Sequence, residues 1–148
     1  MASGTFDLLH LGHIYYLKKA KKLGDELIVV VACDETVREM KHEPVTPEEM
    51  RVDIIKELKM VDTAILGDEH DMYKVVNSVK PDIIALGYDQ IHDEDSIKKE
   101  LQKRNMSTEV VRLEKYAGIG DLQGTRKIID KIIAAYEFQK KMENIEKP

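Results

Sequence analysis

Short apolar runs alternate along this chain with segments whose apolar positions fall three and four apart. Between Leu8 and Leu23, residues Leu11, Ile14, Tyr15, Leu17 and Ala20 recur at helical spacing, and Gly24 supplies a stop. Residues 26–32 (ELIVVVA) are a nearly unbroken β-branched run, the pattern of a strand covered on both faces. Asp34 is placed to cap a short helix over ETVREMK. Thr46-Pro47-Glu48-Glu49 reads as an N-cap, a first-position proline and a capping-box glutamate. Met50, Ile54, Ile55 and Leu58 line one side of the helix that follows. Further strands are predicted at 61–66, 82–87 and 108–113, and further helices over 71–79, 94–104 and 125–142. The last helix carries Ile128, Ile129, Ile132, Ile133 and Tyr136 on the side expected to be buried.

Strands alternating with helices imply right-handed crossovers and a parallel sheet with helices on both faces, a three-layer α/β fold. The pattern contains no internal repeat, low-complexity tract or linker, so residues 1–148 are expected to form one domain. Only MASGTF is available for a first strand, which is short for a central position in a sheet.

Composition then removes several classes of function. The 148 residues are 43% hydrophobic and 34% charged, the balance of a soluble domain with a proper core. No run of about 18 apolar residues offers a membrane span, and polar residues interrupt the N-terminus where a signal peptide would be apolar. A net charge of −5 argues against a nucleic-acid partner. The lysines of LKKAKK and SIKKELQKR fall on helix faces open to solvent. The single cysteine, Cys33, cannot form an internal disulfide and suits a cytoplasmic location. Following VVVA, it reads as a buried thiol at a strand end rather than as a nucleophile.

The chemistry concentrates in GTFDLLHLGH, residues 4–13. The stretch lies where the first strand hands over to the first helix, beyond the carboxyl end of the sheet, where doubly wound folds bind ligands. His10 and His13 are three apart and share one helical face. Free backbone N–H groups and the positive end of the helix dipole point into the same space, and Gly12 leaves the backbone approachable between the histidines. Each feature favours a phosphate. Two imidazoles there can stabilise charge growing on a phosphoryl group and its leaving oxygen.

This stretch resembles the HxGH signature of the cytidylyltransferase-like nucleotidyltransferases, and LGDELIVVVACDETV, PEEMR and PDIIALGYDQ fall where that superfamily has comparable segments. ALGYDQ in particular is similar to the archaeal FAD synthases, which join AMP to FMN. The resemblance implies a single Rossmann-like domain of the HIGH type, with a parallel five-stranded sheet and helices on both faces. It implies a reaction in which a substrate phosphate attacks the α-phosphate of a nucleoside triphosphate and releases pyrophosphate.

Carried over by position, the resemblance makes His10 and His13 catalytic. It puts Thr5, Phe6, His10, Leu11, Gly12 and His13 against the triphosphate, Asp89 near the ribose or base and Tyr116 near the adenine. Lys41, Arg51, Thr125 and Arg126 become weaker phosphate or substrate contacts. A homodimer is implied as well. A short first strand and a cleft near the sheet edge give it a reason of its own, with Arg51 expected close to the interface.

Two departures from the family pattern fall together. The last helix opens with GIGDLQGTRKI, in which Thr125 alone keeps a hydroxyl where relatives have a serine and threonine run, and the cysteines common in archaeal FAD synthases are absent. Gly118, Gly120 and Gly124 come within one residue of a dinucleotide fingerprint, and no Gly-Lys-Ser/Thr completes a P-loop. The 118–126 stretch is instead expected to be a triphosphate-contacting loop. Histidines and carboxylates lack zinc-type spacing, so a divalent ion, Mg²⁺ or similar, is expected to arrive with the triphosphate. Three readings stay open: an adenylyltransferase acting on ATP and FMN, a cytidylyltransferase acting on glycerol 3-phosphate or another phospho-alcohol, and a nucleotide-binding module without turnover.

Overall fold

A computed structural model describes residues 1–40, 42–90, 92–118 and 124–145. The strands are β1 (Ala2–Gly4), β2 (Ile28–Val31), β3 (Thr63–Leu66), β4 (Ile83–Leu86) and β5 (Glu109–Arg112). They are connected by α1 (Leu11–Lys21), α2 (Asp34–Met40), α3 (Glu48–Lys56), α4 (Met72–Val79) and α5 (Glu94–Lys103), and α6 (Thr125–Ile145) follows β5. All pairings are parallel, and the strand order is β3-β2-β1-β4-β5. The chain builds outward from β1 to β3, then crosses over to β4 on the other side of β1. That reversal places a topological switch point between the carboxyl ends of β1 and β4.

Side-chain alternation on the strands separates two cores. Ala2, Val29, Val31 and Ala85 face Leu17 and Ala20 of α1 and Val52 and Ile55 of α3. Ile84, Leu86 and Val110 face Val76 of α4 and Ile97 and Leu101 of α5. Helices therefore cover both faces, as the alternating pattern predicts. Cys33 sits beyond β2 at 1% exposure, a buried thiol.

The short first strand is compensated from its neighbours. Its register with β4 is a single pair, Ala2 with Ala85, extended by the Ala85 amide donating to Met1 O at 2.9 Å. The Tyr16 hydroxyl donates to the Ala85 carbonyl at 2.8 Å and accepts from the Ser3 amide at 3.2 Å. A side chain from α1 thus completes a backbone ladder that two strands leave unfinished.

Several local expectations give way to longer-range contacts. Helix α1 begins at Leu11, not Leu8, because Leu8 adopts a left-handed φ of 46°. Thr46 does not cap α3. Pro47 holds that position, and the Thr46 hydroxyl donates to Asp7 instead. The acidic start of α3 serves another element: Glu48 accepts from the Asp34 amide at the head of α2. On α3 the buried face is Arg51, Val52 and Ile55, while Met50 and Ile54 are exposed. The apolar side of α6 is also not buried. Ile128 and Ile129 are half-buried, but Ile132, Ile133 and Tyr136 are 58%, 51% and 65% exposed.

Candidate active site

The turn after β1 is built backwards onto itself. Phe6 takes a left-handed φ of 55°, uncommon for a bulky residue, and folds its ring beneath Gly4. A Cβ on Gly4 would lie 2.9 Å from the Phe6 ring, so only glycine admits this fold-back. The buried ring then meets His13 edge-on at 5.4 Å and stacks on Tyr16 at 6.4 Å.

Asp7 fixes the turn from below. At 1% exposure, its carboxylate accepts the Val45 amide (2.9 Å), the Thr46 amide (3.0 Å) and the Thr46 hydroxyl (2.7 Å). Burial pushes the Asp7 carboxyl up, but these hydrogen bonds and the charge of Arg51 outweigh it and hold the pKa below its ordinary value. Arg51, itself at 1% exposure, donates to the carbonyls of Thr46 (3.0 Å), Thr5 (2.7 Å) and Ala32 (2.8 Å) and pairs with Asp34 (2.5 Å). From above, the Thr125 hydroxyl donates to the Asp7 carbonyl at 2.6 Å. The turn is held on three sides, which is how an uncommon backbone persists at a functional site.

His10 follows as the N-cap of α1, extended at φ −139° and ψ 171°, with no capping bond from its side chain. The Ile14 amide donates to the His10 carbonyl, so helical bonding begins there and the amides of Leu11, Gly12 and His13 come before it. Free amides at the positive end of a helix dipole are suited to an anion. The His10 and His13 rings stack on each other with centroids 3.7 Å apart. His10 is not helical, yet the rings meet on one side as the spacing predicts. Its Nδ1 is buried without a hydrogen-bond partner among the described residues. Burial holds the His10 pKa below its ordinary value, and the charge of Asp89 works against that shift.

The other predicted site residues divide. Leu11 is 59% exposed at the first position of α1, Gly12 is half-buried beside it, and Thr5 gives its carbonyl to Arg51. Asp89 is exposed just beyond β4. Tyr116 packs its ring on Tyr15 at 5.1 Å, and a Cβ on Gly118 would run into it. Thr125 reaches the turn, while Arg126 is exposed on α6. The expected phosphate and interface roles of Arg51 do not survive its burial, because its guanidinium is occupied by the scaffold. Lys41 lies outside the described residues, as does the 119–123 part of the glycine-rich loop.

Three residues escaped the sequence reading: Asp7, Gln90 and Arg112. Asp7 had a signal, a carboxylate set among the apolar residues of GTFDLL. Gln90 stood in plain view in ALGYDQ. Arg112 had none, since an arginine closing a strand reads as surface. Among the described residues, no group of three or more His, Cys, Asp or Glu is arranged to hold a metal ion. No helix there is long and apolar enough to cross a membrane.

Residues 1–145 match the family model described as cytidylyltransferase-like. A FAD synthase of Aciduliprofundum boonei is 56% identical over 133 residues, 90% of this chain and 89% of that one. A FAD synthase of Archaeoglobus fulgidus is 52% identical over 136 residues, 92% of this chain and 98% of that one. A crystal structure described as a lipopolysaccharide core biosynthesis protein from Thermoplasma volcanium superposes with a TM-score of 0.77 at 55% identity, covering 78% of this chain and 95% of that one. With its histidine turn, strand order and sequence all in agreement, the chain belongs to the cytidylyltransferase-like family.

Proposed function

We propose that the protein is an FMN adenylyltransferase, making FAD and pyrophosphate from FMN and ATP. The observation that carries this reading is the stacked His10–His13 pair over the open N-terminus of α1. The identity of the relatives, FAD synthases at 44–57% identity, chooses the substrates. A phosphate oxygen of FMN attacks the α-phosphorus of ATP. The new P–O bond forms as the bond to the oxygen bridging the α- and β-phosphates breaks, and that oxygen leaves with pyrophosphate. FMN brings its own nucleophile, so no covalent enzyme intermediate is needed.

His10 and His13 donate hydrogen bonds to the phosphoryl oxygens, strongest where charge grows in the transition state. The amides of residues 11–13 hold the triphosphate, and Thr125 and Arg126 approach it from the head of α6. Asp89 faces the ribose, base or acceptor. A divalent ion carried by ATP would supply charge neutralisation. The donor set fits an ion carried by the triphosphate, because the Asp7 carboxylate is committed to Val45 and Thr46 while Asp89 is exposed. A cytoplasmic homodimer completes the reading, supported by one buried thiol and by the exposed apolar side of α6.

The test presents each of the four nucleoside triphosphates with FMN or glycerol 3-phosphate and records pyrophosphate release. ATP with FMN is expected to give the signal. CTP with glycerol 3-phosphate giving it instead would make the protein a phospho-alcohol cytidylyltransferase. Nucleotide binding without release under any pairing would leave a binding module.

A further inference from the structure

The loop leaving β4 is gripped harder than a surface turn requires. Arg112, the last residue of β5, donates from Nη1 to the carbonyls of Gly87 (2.9 Å) and Gln90 (3.1 Å) and from Nη2 to the carbonyl of His92 (2.6 Å). Its Nε donates to Glu94 Oε1 at 2.8 Å, which fixes the plane of the guanidinium. Gln90 ties the same loop in the opposite direction. Its Nε2 donates to the Ser3 carbonyl at 2.7 Å and its Oε1 accepts the Gly87 amide at 2.9 Å. The turn already closes on its own bond from the Gln90 amide to Gly87 O. What the two side chains add is a fixed position for that turn against β1, at the switch point. Asp89 lies within it.

We propose that Arg112 is a positioning residue for nucleotidyl transfer, fixing the Gly87–Gln90 turn against β1 so that the Asp89 carboxylate is held at the switch point. The inference rests on the nucleotidyltransferase reading for its role in turnover, while the grip and its effect on His10 stand without it. A guanidinium suits the task because its rigid fork meets several differently directed carbonyls at once. A lysine ammonium keeps the charge and loses that geometry. Among the described residues, the His13 ring of α1 stacks on His10 at 3.7 Å, and the charge of Asp89 beyond β4 favours the His10 imidazolium.

The experiment compares wild type, Arg112→Met, Asp89→Asn, the double variant and Arg112→Lys. Misplacing a group near the chemistry costs about 10²-fold, so Arg112→Met is expected to lower kcat on that scale. In the Asp89→Asn background the same change is expected to cost no more than about threefold, because the residue it positions is already disabled. The second readout is the NMR titration of the His10 ring, which needs no turnover. Its midpoint is expected to fall in Asp89→Asn, to fall comparably in Arg112→Met and to fall partway in Arg112→Lys.

Additive losses in kcat, or a His10 midpoint that ignores Arg112→Met while following Asp89→Asn, would overturn the proposal. So would a midpoint that ignores Asp89→Asn. If Arg112→Met does not fold, the partial fall in Arg112→Lys decides. A wild-type protein inert toward FMN and ATP would remove the functional reading alone, and the titration would still judge the grip.

Discussion

The hydroxyl of Thr125 donates to the backbone carbonyl of Asp7 at 2.6 Å, joining the head of α6 to the turn that carries the histidines. The same turn is anchored from beneath through the Asp7 carboxylate, so one residue receives the loop before α3 on its side chain and α6 on its main chain. Thr125→Val keeps the shape and removes the donor. Loss of one such bond is worth about 0.5–1.5 kcal/mol. The expected result is a drop in kcat/KM for ATP of up to about tenfold, restored in Thr125→Ser. Steady-state kinetics check it. An unchanged kcat/KM would show that α6 does not steady the phosphate turn.

Arg51 is a structural residue in this account. Arg51→Met removes the 2.5 Å partner of Asp34 and leaves the carbonyls of Thr5, Ala32 and Thr46 without their donor. Breaking a buried pair of this kind costs about 3–5 kcal/mol, to be read by urea unfolding. A variant as stable as wild type but with a raised KM for ATP would return Arg51 to the phosphate-binding role.

His10→Ala and His13→Ala are each expected to lower kcat by about 10²–10³ with little effect on nucleotide affinity, since their bonds strengthen in the transition state. A raised KM at normal kcat would reassign either residue to binding. His10 also marks the stability profile. Its folded pKa lies below the unfolded value of 6.5, so protonation favours the unfolded chain. Stability therefore falls as pH drops through that value, and the fall stops below the folded pKa. His10→Asn is expected to flatten this part of the profile in denaturation series between pH 7 and 5.

The sheet and the histidine turn were legible in the sequence because both are written locally. Strands and helices alternate in short apolar periods, and His10, Gly12 and His13 sit within four residues of one another. What was not legible depends on partners far along the chain. Thr46 has the sequence of a helix cap, yet its hydroxyl is taken by Asp7, 39 residues earlier. Arg51 follows a helix start at a position where the resemblance implies a phosphate contact, but its acceptors come from β1, β2 and α2 sequence neighbourhoods. The stripe on α6 shows the limit of periodicity most plainly. It identifies an apolar side and says nothing about what covers it.

That stripe carries the next prediction. Ile132, Ile133 and Tyr136 expose a run of apolar surface on one side of a long helix, more than scattered surface residues account for. A two-fold pairing of chains would bury it. Light scattering at several concentrations is expected to give about twice the chain mass of 17.0 kDa. Ile132→Glu with Tyr136→Glu is expected to return the mass toward one chain. A single-chain mass for wild type up to high concentration would remove the dimer.

The most direct measurement follows FMN and ATP to products by chromatography under single-turnover conditions, with pyrophosphate assayed in parallel. FAD and pyrophosphate appearing one for one, and both suppressed together in His10→Ala and His13→Ala, is the predicted result. ATP consumed to AMP or ADP without FAD, or FAD formed at the wild-type rate by either histidine variant, would contradict it.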